Sequence, residues 1–139
     1  MNTMFKKILV AVDGSNGARK AVELAAGLGK RTGAELLVFH VREVEVGKFS
    51  GAMEPPKEAR DLVNEVVAEL ANEGLIVKGE IRGASFGRAA KEIVDEAKDA
   101  GCDTIVMGSR GLSDWAAVLV GSVAHKVVSH AHCPVVIAR

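Results

Sequence analysis

Gly108 and Gly111, followed after nine residues by Gly121 and Ser122, are the residues of this 139-residue chain whose types and spacing best suit a phosphate. Glycine lets a backbone come close to an anion, and a helix N-terminus offers unpaired N–H groups at the positive end of a dipole. A phosphate held between a turn at Gly108 and a helix opening at Gly121-Ser122-Val123 fits that chemistry, with Ser122 adding a hydroxyl donor. Taken singly, the same residues also read as turn glycines with Ser122 as a helix cap. No G-x-x-x-x-G-K-[ST] occurs, and no G-x-G-x-x-G follows the first apolar run, so neither the P-loop nor the dinucleotide fingerprint is present.

Other reactive side chains form no comparable group. His125, His130 and His132 lack the i, i+4 helical pairing of a zinc site, and His40 reads as a structural histidine. Cys102 and Cys133 make no C-x-x-C and read as reduced thiols of a cytosolic protein. No base-activated nucleophile or paired carboxylate stands near the glycines, so an enzyme by design is not indicated.

The elements that must position these residues follow from periodicity. Continuous apolar runs at Ile8–Val12, Leu36–Phe39, Ile105–Met107 and Val135–Ala138 predict strands buried on both faces of a parallel sheet. Leu75–Ile81, interrupted by Lys78, Gly79 and Glu80, predicts a weaker strand at a sheet edge. Helical stripes lie between: Ala18, Ala21, Val22, Ala25, Leu28; then Leu62, Val63, Val66, Val67, Leu70 after Pro55-Pro56. A third runs through Phe86, Ala89, Ala90, Ile93, Val94, Ala97, and a fourth through Val120, Val123, Ala124, Val127, Val128, Ala131. The order β-α-β-α-β-α-β-α-β predicts one open α/β sheet with right-handed crossovers over 1–139, a single domain. Arg42–Glu54 is expected to be a long functional loop. In such a sheet ligands bind beyond the carboxyl ends of the strands, so Asp13-Gly14-Ser15, His40-Val41 and Gly108-Ser109-Arg110-Gly111 become the informative segments.

Composition narrows the partners. Eighteen basic residues balance eighteen acidic ones, which argues against a nucleic-acid surface, and four Phe, one Trp and no Tyr leave few stacking platforms. No apolar run approaches the roughly 18 residues of a membrane span, and Ile8–Val12 after Lys6-Lys7 is too short for a secretory leader. A cytoplasmic protein is expected.

With these residues assembled, the chain resembles the universal stress protein family. Gly108-x2-Gly111-x9-Gly121-Ser122 matches that family's ATP-binding signature. Lys7 to Ser15 resembles its opening strand and turn, Asp103 to Gly111 its fourth strand, and His132 to Val136 its closing one. The resemblance spans essentially the whole chain. It implies a Rossmann-like, adenine nucleotide alpha hydrolase-like α/β fold, with five parallel strands in the order 3-2-1-4-5 and helices on both faces. It further implies that Asp13 bonds the ribose hydroxyls and that Val41, with Ala11, meets adenine. Gly108, Ser109, Gly111, Gly121, Ser122 and Val123 would then surround the ribose-phosphate. The insert Leu112–Val120 departs from the family in having no basic residue, which leaves triphosphate charge to backbone donors, Arg110 and magnesium.

In that strand order Pro134–Ala138 is an apolar edge, and a homodimer through it is expected. The function implied is an ATP-binding regulatory dimer of the stress response, acting on a further protein partner. The alternatives are a nucleotide-independent scaffold, or slow ATP hydrolysis or autophosphorylation on Ser15 or Ser122.

Overall fold

The computed structural model describes residues 4–44, 56–109 and 120–139. Strand β1 (Lys7–Ala11) leads to α1 (Asn16–Thr32), β2 (Glu35–Val44), α2 (Lys57–Asn72) and β3 (Val77–Ser85). Helix α3 (Ala89–Asp99), β4 (Thr104–Gly108), α4 (Ser122–His130) and β5 (Val135–Ala138) complete it. All five strands are parallel in one sheet, in the order β3-β2-β1-β4-β5.

The sheet's apolar runs divide between two faces because successive strand residues point to opposite sides. Ile8, Val10, Leu36, Val38 and Val106 pack under α1 and α2. Leu9, Leu37, Phe39, Ile105 and Met107 pack under α3 and α4. Ile8, Leu9 and Val10 are fully buried, as a central parallel strand requires. Helix α1 begins because the Ser15 hydroxyl accepts the Ala18 N–H at 3.1 Å. It ends where the Gly33 N–H reaches the Gly29 carbonyl at 2.8 Å, with Lys30 and Arg31 in the last turn, where the helix dipole favours cations.

Four expectations are corrected. Strand β2 does not give way to a loop at Arg42. Arg42, Glu43 and Val44 pair with Gly83, Ala84 and Ser85, and the remainder of the expected loop, 45–54, lies outside the described residues. Strand β3 is an edge, but it runs Val77–Ser85 rather than Leu75–Ile81 because it follows the extended β2 to its end. Phe86 is 67% exposed and precedes α3, so it is no part of that helix's buried stripe. Val120 and Val128 are likewise exposed, leaving Ala124 and Val127 as the buried residues of α4.

Gly79 shows why an edge strand carries a glycine. A Cβ there would stand 2.5 Å from Val63 Cγ1 and 3.0 Å from Val67 Cγ2, so its absence lets α2 lie directly on the strand.

Candidate functional site

The fold brings the carboxyl ends of β2, β1 and β4 side by side, where the connections leave toward opposite faces. A cleft of about 260 Å³ lies there. Its walls come in three groups that follow the strand order. Val41 and Glu43 of β2 face Ala89 and Ile93 of α3 at one end, and Asp13 of the β1–α1 turn lies between. Gly108, Ser109, Val123 and Ala124 form the other end, toward β4 and α4.

The central turn is fixed from several directions. Asp13 Oδ1 accepts the Ser15 N–H at 2.9 Å, an Asx-type turn, while Ser15 itself caps α1. The Val12 N–H reaches the Phe39 carbonyl at 2.9 Å, and the Val12 carbonyl lies 2.8 Å from His40 Nδ1. A carbonyl only accepts, so Nδ1 carries the proton. His40 is the structural histidine expected from the sequence, and it ties the end of β1 to β2 while lining the cleft.

At the β4 end the Ser109 N–H donates to the Ala138 carbonyl at 2.9 Å, and the Gly121 N–H donates to the Ser109 carbonyl at 2.5 Å. These bonds carry the start of α4 to the end of β4. Gly121 occupies the cap position in extended conformation, and as a glycine it has no side chain to accept from the first turn. Ser122 is therefore the first helical residue rather than the cap, and its side chain is exposed. The first turn of α4, the positive end of its helix dipole, therefore starts next to Ser109, and Val123 and Ala124 of that turn line the cleft with Gly108 and Ser109.

Of the residues singled out from the sequence, Ala11, Asp13, Val41, Gly108, Ser109 and Val123 line this one cleft. Gly121 adjoins it through Ser109, with Ser122 next in the chain, whereas Arg110 and Gly111 lie outside the described residues. Sequence reasoning missed Glu43, Ala89 and Ile93. For Ala89 and Ile93 the signal was available: in a sheet of this kind every helix following a strand starts at the strands' carboxyl ends, so the opening of α3 also faces the cleft.

Glu43 is anchored by the Gly87 N–H, which donates to its Oε2 from the turn before α3. Arg82 of β3 lies over the Phe39 ring, 5.9 Å from its centroid, and pairs with Glu92 at 3.5 Å and Glu96 at 2.5 Å, joining β3 to α3 beneath this end of the cleft.

Cys102 and Cys133, both free thiols, belong to the α3/α4-side core at the amino ends of β4 and β5, away from the cleft. Burial pushes the Cys102 thiol up to about 11 and raises that of Cys133 as well.

Comparison with known proteins agrees with this architecture. The model of the universal stress protein family matches residues 4–139. The universal stress protein YxiE of Bacillus subtilis is 37% identical over 151 residues, covering 98% of this chain and 100% of that protein. The solved universal stress protein UspA from Lactobacillus plantarum superposes with a TM-score of 0.84 at 28% identity, over 99% of this chain and 100% of its own. A universal stress protein from Archaeoglobus fulgidus, solved in complex with dAMP, shares the fold with a TM-score of 0.73 at 24% identity, over 99% of this chain and 100% of its own. A sheet order, a glycine spacing and a family match over nearly the whole length converge, and the chain belongs to the universal stress protein family.

Proposed function

We propose that this protein binds ATP, with magnesium, in the cleft at the ends of β2, β1 and β4, and acts in the cytoplasm as a nucleotide-responsive regulatory homodimer. The observation that carries the reading is the order of chemistry along the cleft. An apolar slot suited to a base is followed by a carboxylate turn suited to a sugar, and then by a helix start suited to an anion.

Ala11 and Val41 would flank adenine, and Asp13 would accept from the ribose hydroxyls through a carboxylate already held in its turn by the Ser15 N–H. Gly108, Ser109, Gly121, Ser122 and Val123 would hold the phosphates, together with Arg110 and Gly111. The α4 N-terminus suits this task because its cap residue, Gly121, has no side chain to occupy the first-turn N–H groups. Bound ATP supplies a polyphosphate anion, and magnesium would be carried through that anion and its waters. A universal stress protein of Archaeoglobus fulgidus that shares this fold was solved in complex with dAMP.

The dimer would form through β5, an edge strand whose Val135, Val136 and Ile137 are half-buried within one chain. Nucleotide occupancy would reach that edge because Ser109, at the phosphate end, bonds Ala138 of β5 directly.

A calorimetric titration with magnesium and ATP tests the reading. One site per chain is expected, with stabilisation of about 2.7 kcal/mol at a hundredfold excess over Kd. Absence of heat and of thermal stabilisation at millimolar ATP would overturn it in favour of the nucleotide-independent scaffold.

A further inference from the structure

Glu43 stands out among the cleft residues because a carboxylate is the wrong group for an apolar slot. It follows Val41 by two residues, so both side chains fall on the same face of β2. Across from them stand Ala89 and Ile93, apolar residues at the start of α3. The carboxylate is half-buried at the rim of the cleft, and one of its oxygens is already engaged: the Gly87 backbone N–H donates to Oε2. That bond holds the side chain against the turn before α3 and removes much of its rotational freedom, so presenting Oε1 to a ligand costs little further entropy.

A carboxylate accepts hydrogen bonds and does not donate them. Fixed at the rim of the cleft beside Val41, Ala89 and Ile93, it favours a flat ring whose edge carries an N–H donor and disfavours one that offers only acceptors. We infer that Glu43 is a specificity-determining residue that recognises the exocyclic amine of the nucleobase, so that the cleft selects amine-bearing bases. This rests on the nucleotide reading above and adds to it a residue the glycine signature does not contain. The alternative is that Glu43 only ties β2 to the turn before α3. In that case its loss would weaken all nucleotides by the same factor.

A two-by-two binding experiment separates these. ATP and purine riboside triphosphate, which has hydrogen in place of the 6-amino group, are titrated against the unaltered protein and Glu43→Gln. The amide oxygen of Gln can still accept from Gly87, while its NH2 cannot accept from the base. The unaltered protein is expected to prefer ATP by about 10- to 100-fold, the range of a hydrogen bond to a charged group. In Glu43→Gln the preference should fall to within about threefold, within the coupling logic of a double-mutant cycle. The comparison is made within each protein, so a general weakening of the fold cancels. Equal preference in the two proteins overturns the role of Glu43 alone. Failure of the unaltered protein to bind either compound at millimolar concentration overturns the nucleotide reading and this inference with it.

Discussion

Gly108 and Gly17 touch backbone to backbone: a Cβ built on Gly108 would stand 2.6 Å from the Gly17 carbonyl carbon and 2.8 Å from its oxygen. The first glycine of the phosphate signature thus has a packing duty inside the protein. It lets the first turn of α1 settle against the end of β4. Gly108→Ala should destabilise the fold by about 1–3 kcal/mol, the usual range for overpacking, as read by urea denaturation with an unchanged m-value.

Asp13→Asn separates the turn from the ligand. The amide oxygen can still accept the Ser15 N–H, so stability should change by less than about 0.5 kcal/mol. The ribose contact loses its charge, and ATP affinity should fall about 10-fold or more in a calorimetric titration.

Ser122→Glu should move stability and binding in opposite directions. A carboxylate in the first turn of α4 favours the helix by about 0.3–1 kcal/mol, whereas it competes with a phosphate for the same N–H groups. Thermal unfolding of the ligand-free protein should shift upward while ATP affinity drops.

Cys102 gives the protein a pH dependence on the alkaline side. Its thiol lies near 11 in the folded chain, above its usual range, because burial disfavours the thiolate. The folded state therefore holds this proton more tightly than the unfolded one. The stability involved is complete below the unfolded thiol's range near 9.0 and is lost as pH rises through about 11. A loss on the order of 2 kcal/mol across that window is expected from denaturation curves, and Cys102→Ala should flatten it.

Dimerisation through β5 predicts that the edge-facing backbone matters. The carbonyls of Pro134 and Ala138 accept bonds from Ile105 of β4 and from Ser109 just after it, so in the alternating pattern the groups of Val135 and Ile137 face outward. Ile137→Pro removes an outward N–H. Light scattering should give twice the 14.6 kDa of one chain for the unaltered protein and a single chain's mass for the variant. A monomeric unaltered protein at micromolar concentration, or a variant that stays dimeric, would contradict the interface.

The central strands and the grouping of Gly108, Ser109 and Gly121 at the start of α4 were legible in the sequence for a physical reason. Strands buried on both faces must be continuously apolar, as Ile105–Met107 of β4 is, and the half-buried edge strand Val135–Ala138 also appears with the bounds its residues predicted. Strands β2 and β3 were harder to read. Their far halves carry Arg42, Glu43, Glu80 and Arg82, polar side chains tolerated at a sheet edge and at the rim of a cleft. Strand propensity therefore gave way there to pairing between the two strands. Glu43 was hidden by the same effect, since a residue read as loop was not followed into the cleft. The approach of Gly108 to Gly17 had no local signature, because it depends on two segments about ninety residues apart.

A bound nucleotide must touch the chain at the carboxyl ends of β2, β1 and β4. Amide chemical-shift mapping of the protein during an ATP titration with magnesium would locate it. The predicted result is saturable change concentrated at Asp13, Val41, Ser109 and Val123, with Cys102 and the amino ends of the strands unmoved. Changes clustered away from the ends of β1 and β4, or none at millimolar ATP, would contradict it.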